Sequence, residues 1–330
     1  MRPKVYVTRP IFPEAVGLLG AAAEVEVWPE DAPPSYEALR VAVQNVDGLF
    51  ALLTDRVDGP LLDGAPKLRV VSNMAVGYDN IDVPAATARG VYAANTPGVL
   101  TETTADFGFA LMMAWARRIP QGRDFVKQGQ WKTWGPMTLL GTDVHGATLG
   151  IVGLGRVGEA LARRAKGFGM RVLYHSRSRK PDLEQGLKLE YVKDLQALLG
   201  EADFVSLHVP LTAESRGLIG EAALRAMRPS ALLVNTARGE VVDQEALYRA
   251  VKDGVIAGAA LDVADPEPMP PDAPLLSLEN VLVTPHIASA SYATRLKMAM
   301  LAAQNIVDVL KGRPPTHCLN PEAAERRPAR

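Results

Sequence analysis

The chain has 330 residues, more than one ordinary hydrophobic core accommodates, so two domains are expected. Its 36 basic residues are balanced by 37 acidic ones, which leaves a net charge of -1 and none of the basic excess of a nucleic-acid binder, while 48% hydrophobic and 22% charged residues fit an ordinary globular protein. The single cysteine, Cys318, excludes an internal disulfide framework, no CxxC or paired His/Cys cluster has metal-ligand spacing, and no uninterrupted apolar run approaches the roughly 18 to 20 residues of a membrane span.

In chain order, the opening "MRPKVYVTRP" lacks the apolar core of a signal peptide, and a cytoplasmic protein is expected. Short Val/Leu/Ile runs then alternate with longer Ala/Leu/Arg segments of helical period, the pattern of βα units around a parallel sheet. Strands are predicted at "KVYVT", "EVEVW", "GLFALLT", "LRVVSNM" and "VYAAN", with helical stretches such as "SYEALRVAVQN" between them. These make one small doubly wound unit. A second series, "TLGIVGLG", "RVLYHS", "FVSLHVP", "ALLVNTA", "AGAALDV" and "VLVTPHIA", predicts a sheet of about six parallel strands. Pro97 and Gly98 in "NTPGVLTET", and the stretch "HIASAS", are the candidate joints between the two. The first unit has no closing helix of its own, and "YATRLKMAMLAAQNIVDVLKG" would supply it. The expected division is therefore residues 1–98 with 287–330 as one domain and 99–286 as a continuous second. The final "PEAAERRPAR" is expected to fray.

"TLGIVGLGRVGEALARRAKGFG" gives a buried-type strand, then Gly153, Gly155 and Gly158, then a helix. In that setting the first glycine allows a tight turn, the second lets backbone approach a pyrophosphate, and the third lets helix pack on strand, with phosphates at the helix N-terminus. Leu154, Arg156 and Val157 belong to the same cradle. A dinucleotide is the expected ligand. Where an acidic residue would bind a ribose 2′-hydroxyl, the next strand ends in His175 and Ser176, followed by Arg177, Arg179 and Lys180. Guanidinium groups attract a 2′-phosphate that a carboxylate would repel, so NADP(H) is expected in preference to NAD(H), which is still accepted. A solvated basic loop is the bland alternative.

Three further segments follow in order: "NTARGE" with Arg238, "DVADPEPMP" with Glu267, and "VTPHIAS" with His286. With the glycine turn before them, they resemble the D-isomer-specific 2-hydroxyacid dehydrogenase family over nearly the whole chain. The length, the missing regulatory extension and "LYHSRSRK" look most like its glyoxylate/hydroxypyruvate reductase branch. "AVGYDNID" and "TPGVLTETTADFGFALMMA" are also similar to family segments. The resemblance implies an α/β protein of two doubly wound parallel-sheet domains, a flavodoxin-like substrate domain and a Rossmann cofactor domain, with an interdomain cleft, in a homodimer.

It also implies roles. Reduction of a 2-keto acid needs a hydride, a proton for the forming alkoxide, and a positive group for the carboxylate. His286 is the expected general acid, with a reference pKa of about 6.5 suited to both directions. Glu267 would be its hydrogen-bonded partner, favouring imidazolium and raising that pKa. Arg238 would clamp the carboxylate and polarise the keto oxygen. Backbone amides around Ala75, Val76 and Gly77 would complete the carboxylate site. Asp262 resembles a partner of the nicotinamide carboxamide and Thr104 a contact near the cofactor phosphates; either type also serves as an ordinary helix cap. Trp134, in "WKTWGPM", lies where this branch brings an aromatic residue near the substrate, from either subunit, and an interface or core tryptophan fits equally. The expected activity is NADPH-preferring reduction of glyoxylate to glycolate and of hydroxypyruvate to D-glycerate. Other hydroxyacid dehydrogenases, phosphoglycerate types included, are the neighbouring reading, and a dinucleotide-sensing corepressor scaffold is the reading from another class.

Overall fold

A computed structural model describes residues 2–326. The chain divides into two compact units, one formed by the chain up to Leu100 and again from Ala290 on, the other by Thr101–Ser289.

The first unit has five parallel strands, β1 (Lys4–Val7), β2 (Glu24–Val27), β3 (Gly48–Ala51), β4 (Val70–Asn73) and β5 (Tyr92–Ala94), in the order β2-β1-β3-β4-β5. β3, β4 and β5 are buried at every residue, as parallel strands covered on both faces must be, whereas edge strand β2 alternates between half-buried and exposed. "SYEALRVAVQN" forms the helix Tyr36–Ala42 capped by Ser35, then a 3-10 turn Val43–Asn45. Helix Tyr292–Leu310, N-capped by Ser291, belongs to this unit and buries Met298, Ala302, Ile306 and Val307 among Phe50, Val70 and Leu19. The fit is close: a Cβ on Gly48 would lie 2.9 Å from Ile306 Cγ2. The end of the chain, expected to fray, is instead ordered over Pro321–Arg326 as a 3-10 helix. Asn320 anchors it, its side chain accepting from Ala93 N and donating to Val91 O and Thr87 Oγ1, with Ala323 fully buried. The last four residues of that segment lie outside the described ones.

The second unit has seven parallel strands: β6 (Thr148–Val152), β7 (Arg171–His175), β8 (Glu190–Tyr191), β9 (Phe204–Leu207), β10 (Leu232–Asn235), β11 (Gly258–Leu261) and β12 (Val281–Val283). Their order is β12-β11-β10-β9-β6-β7-β8. Six were expected; the seventh, β8, is a two-residue edge strand pairing Glu190 and Tyr191 with Leu173 and Tyr174, too short to leave a periodic signal. Strand order reverses between β6 and β9. In an open α/β sheet ligands bind beyond the carboxyl ends of strands at such a switch point. The corresponding reversal in the first sheet lies between β1 and β3.

Candidate active site

The glycine turn sits at the switch point of the second sheet. β6 ends at Val152, Gly153 adopts φ +99°, and helix Arg156–Gly167 begins after Gly155. A Cβ at Gly153 would come within 2.8 Å of the His208 backbone carbon, and one at Gly158 within 2.4 Å of Gly153 O. Both positions therefore require glycine. Gly155 is different, because a Cβ there would meet nothing within 4 Å. No side chain caps the helix, so the N–H groups of its first turn, from Arg156, Val157 and Gly158, remain available to an anion, while Leu154 is buried in the core beneath them.

The base-rich loop after β7 is less uniform than its sequence. Arg179 forks Glu184 (Nε–Oε1 2.9 Å, Nη2–Oε2 2.7 Å) and stacks over the Tyr191 ring at 5.8 Å. Its guanidinium already serves a carboxylate of its own domain. Ser176 Oγ donates to Ser178 O at 2.6 Å, which tightens the turn beneath it.

Arg238, Glu267 and His286 follow β10, β11 and β12, three adjacent strands of the sheet, at their carboxyl ends. Glu267 Oε2 lies 2.9 Å from His286 Nδ1, and its Oε1 accepts from Ala264 N at 3.0 Å. Burial works against the Glu267 charge, but the hydrogen bond and charge of His286, the Ala264 amide and Arg238 outweigh it and hold the carboxyl below its ordinary range. It is thus anionic at neutral pH, a fixed acceptor that orients the imidazole through Nδ1. Arg238 is half-buried and extended, its carbonyl accepting from Asn235 Nδ2 at 2.8 Å.

His286 has φ +53°, a left-handed conformation that costs a non-glycine residue about 1 kcal/mol or more and persists only when its surroundings impose it. Asp262 imposes it. Expected at the nicotinamide carboxamide, Asp262 is 1% exposed, and its carboxylate accepts from Thr284 Oγ1 (2.6 Å), Ile287 N (2.9 Å) and Ala288 N (2.7 Å), while its own carbonyl accepts from His286 N (2.9 Å). What the structure gives it is a grip on the turn that carries His286. Gly239, next to Arg238, was missed as a functional residue although "NTARGE" contains it. A Cβ there would lie 1.9 Å from Ala264 O, so only glycine lets the Arg238 loop approach the Glu267 loop.

Thr104 is 7% exposed on helix Thr101–Ala116, on the face that packs into the unit. Trp134 is 80% exposed, which removes the reading of a core tryptophan, and it stands in a stretch with other uncovered apolar side chains: Ile119 (58%), Trp131 (63%) and Met137 (76%).

In the first unit, Ala75, Val76 and Gly77 form the loop after β4. Each carbonyl is occupied: Ala75 O accepts from Thr96 N (2.8 Å), Val76 O from Asn95 Nδ2 (2.8 Å) and Gly77 O from Asn73 Nδ2 (2.9 Å). None of the three N–H groups bonds another group among the described residues. Three successive unpaired amides can receive an anion. The sequence signal for the asparagines is slight: Asn73 stands next to the end of the predicted strand "LRVVSNM" and Asn95 ends "VYAAN".

His208, at the end of β9, is hydrogen-bonded through Nε2 to Ser206 Oγ at 2.9 Å, and burial lowers its pKa to about 4. Above about pH 6.5 both the folded and unfolded chains carry it neutral; as pH falls from there toward 4, only the unfolded chain takes up the proton, and stability is lost. Allowing for the partial exposure of the residue, the loss is on the order of 2 kcal/mol. Chemical denaturation at pH 7 and pH 4.5 should show His208→Gln losing less stability over this interval than the parent by that amount; equal losses would remove His208 as the cause.

Residues 109–288 match the sequence profile of the D-isomer specific 2-hydroxyacid dehydrogenase NAD binding domain. The chain is 54% identical over 329 residues to a glyoxylate reductase of Korarchaeum cryptofilum, covering 99% of both chains, and 50% identical over 330 residues to one of Aeropyrum pernix, covering 99% of this chain and 98% of the relative. Among solved structures, the NADPH-dependent glyoxylate/hydroxypyruvate reductase of Sinorhizobium meliloti, in complex with NADP and malonate, superposes with a TM-score of 0.88 at 34% identity over the whole of both chains. A Thermus thermophilus protein does so at 0.91 and 45% identity, covering 96% of this chain and 99% of the other. The glycine turn, the histidine–glutamate pair and these end-to-end likenesses agree, and the chain belongs to the D-isomer-specific 2-hydroxyacid dehydrogenase family as an NAD(P)-dependent dehydrogenase.

Proposed function

We propose that this dehydrogenase reduces glyoxylate to glycolate and hydroxypyruvate to D-glycerate, with NADPH preferred over NADH, as a cytoplasmic homodimer. The observation that carries the reading is the His286–Glu267 pair at 2.9 Å, with Arg238 close enough to depress the Glu267 pKa. The names of the relatives point to the same substrates.

In this mechanism Arg238 takes the substrate carboxylate and polarises the keto oxygen; the amides of Ala75, Val76 and Gly77 are the donors that the first unit offers to a carboxylate. NADPH, when bound, supplies the hydride. His286 gives its proton to the alkoxide as it forms and recovers one from solvent, while ionised Glu267 holds the ring through Nδ1. In oxidation the same imidazole removes the hydroxyl proton. The backbone from Gly153 to Gly158 would hold the pyrophosphate. Ser176 and Arg177 would hold the 2′-phosphate, with Arg179 a secondary charge tied to Glu184. The uncovered Ile119, Trp131, Trp134 and Met137 supply the apolar surface that a second copy of the chain would bury.

A matrix of kcat/KM values for glyoxylate, hydroxypyruvate and pyruvate with each cofactor tests substrate and cofactor together. Arg177→Ala should shrink the NADPH-over-NADH ratio by about tenfold, the worth of one charge-assisted contact, and Arg179→Ala by much less. Equal effects of the two variants would contradict this division of labour.

A further inference from the structure

The loop after β4 is held from three sides by asparagine side chains. Asn73 is fully buried and Asn95 is 7% exposed. Their Nδ2 groups occupy the carbonyls of Gly77 and Val76 respectively. Asn80 extends the lattice: its Oδ1 accepts from Asn73 Nδ2 at 3.0 Å, and its own Nδ2 donates to Leu52 O (3.1 Å) and Asp55 O (2.9 Å) in the loop after β3. That second loop is itself fixed by buried Asp55, which accepts from Leu52 N and from Thr8 Oγ1, at the switch point between β1 and β3. Behind Asn95 stands Asn305 of the closing helix, wholly buried and donating to Asn95 O at 3.1 Å. A loop whose job were only to connect β4 to the next helix would need none of this, since a surface connection satisfies its carbonyls with water.

We propose that Asn73 and Asn95 are positioning residues for substrate. By committing the Val76 carbonyl, Asn95 fixes the peptide plane that carries the Gly77 N–H, and by committing the Gly77 carbonyl, Asn73 pins the next plane, so that Gly77 is held on both sides; with Ala75 O taken by Thr96 N, the successive N–H groups of residues 75–77 form a rigid receptor for a small carboxylate, with Asn80 setting the spacing to the loop after β3. This rests on the reading above, in which the substrate is a 2-keto acid. A buried donor that preorganises amides acts on the affinity for the anion and leaves proton and hydride transfer untouched.

The test uses the full chain, with oxamate as an unreactive 2-oxo carboxylate probe titrated calorimetrically in the presence of NADPH, alongside steady-state kinetics. Asn95→Asp preserves size but removes the donor and adds a charge behind the loop; Asn73→Ala adds no charge and removes the whole carboxamide, the donor to Gly77 O together with its exchange with Asn80. Each should raise the KM for glyoxylate and the Kd for oxamate in parallel by about tenfold, with kcat within about twofold and the KM for NADPH unchanged. Thermal melting establishes that the variants are folded, and whichever of the two melts nearer the parent carries the result. Unchanged KM and Kd in that variant overturn the proposal, and so does a kcat loss equal to the affinity loss, which marks a merely structural role. Parent enzyme that binds oxamate but reduces no keto acid would defeat the functional reading, and the Kd values would still decide the role of the asparagines. Parent enzyme that binds no oxamate overturns both.

Discussion

Alanine in place of His286 or Arg238 should lower kcat/KM for keto-acid reduction by about three orders of magnitude. For His286 the loss is that of a positioned general acid, about 10²- to 10⁴-fold, because water must then protonate an alkoxide whose basicity rises as the hydride arrives. For Arg238 it is the loss of a charged, bidentate group that both holds the carboxylate and meets the growing negative charge, about 10²- to 10³-fold in rate and more in KM. Arg238→Lys should recover little, since a point charge cannot reproduce the fork. The two residues act in one transition state, so the double variant should be little worse than the poorer single one. Fluorescence titration with NADPH separates this from collapse of the fold, because neither residue belongs to the glycine turn and cofactor binding should stay within about threefold. Turnover near the parental level in either alanine variant would end the mechanistic assignment.

Gly239→Ala carries the second large effect, through a residue with no chemistry of its own. The added methyl would lie 1.9 Å from Ala264 O, 2.0 Å from Ala264 C and 2.7 Å from Asp265 N, all backbone atoms that cannot rotate away. The two loops must part by more than an ångström. They carry Arg238 on one side and, three residues beyond Ala264, Glu267 on the other. Misplacement of that size costs about 10²-fold in rate even when the catalytic groups survive, and the overpacking costs about 1 to 3 kcal/mol. Gly17→Ala is the control. It lies exposed within helix Pro13–Ala22 with no atom within 4 Å of the new Cβ, and alanine there should stabilise by about 0.5 to 1 kcal/mol without touching turnover. If the Gly239 variant kept full activity and the parental Tm, the close approach of the loops would be of no functional consequence.

What could be read in advance follows from what a residue pattern encodes. The parallel sheets were legible because strands buried on both faces must be continuous apolar runs, and Val70–Asn73 or Leu232–Asn235 can be little else. The glycine turn was legible because its spacing is a steric requirement. β8 escaped because two residues carry no period. The hold of Asp262 on the His286 turn is not legible, since nothing local in the sequence says that a carboxylate at the end of β11 will turn toward the amides of residues 287 and 288. The Arg179–Glu184 pair is invisible for a similar reason: Glu184 lies one helical turn into the next element, and a pairing across a loop is settled by three-dimensional placement. The asparagines behind residues 75–77 illustrate the general limit. Their residue type was visible, but their use depends on a loop conformation that only the folded chain defines.

The assignment of helix Tyr292–Leu310 to the first unit has a consequence for biosynthesis. On the ribosome, the segment that begins first is finished last. Phe50, Val70 and Leu19 await Met298, Ile306 and Val307, and until the helix emerges one face of the leading sheet is covered only in part, by helix Pro13–Ala22. Meanwhile Thr101–Ser289, an uninterrupted stretch with all its partners in sequence, has everything it needs to condense. The nascent protein therefore passes through a state with one finished domain and one waiting sheet. A chaperone that shields apolar strands would have its work at the N-terminal end, for the whole time it takes to translate the cofactor domain.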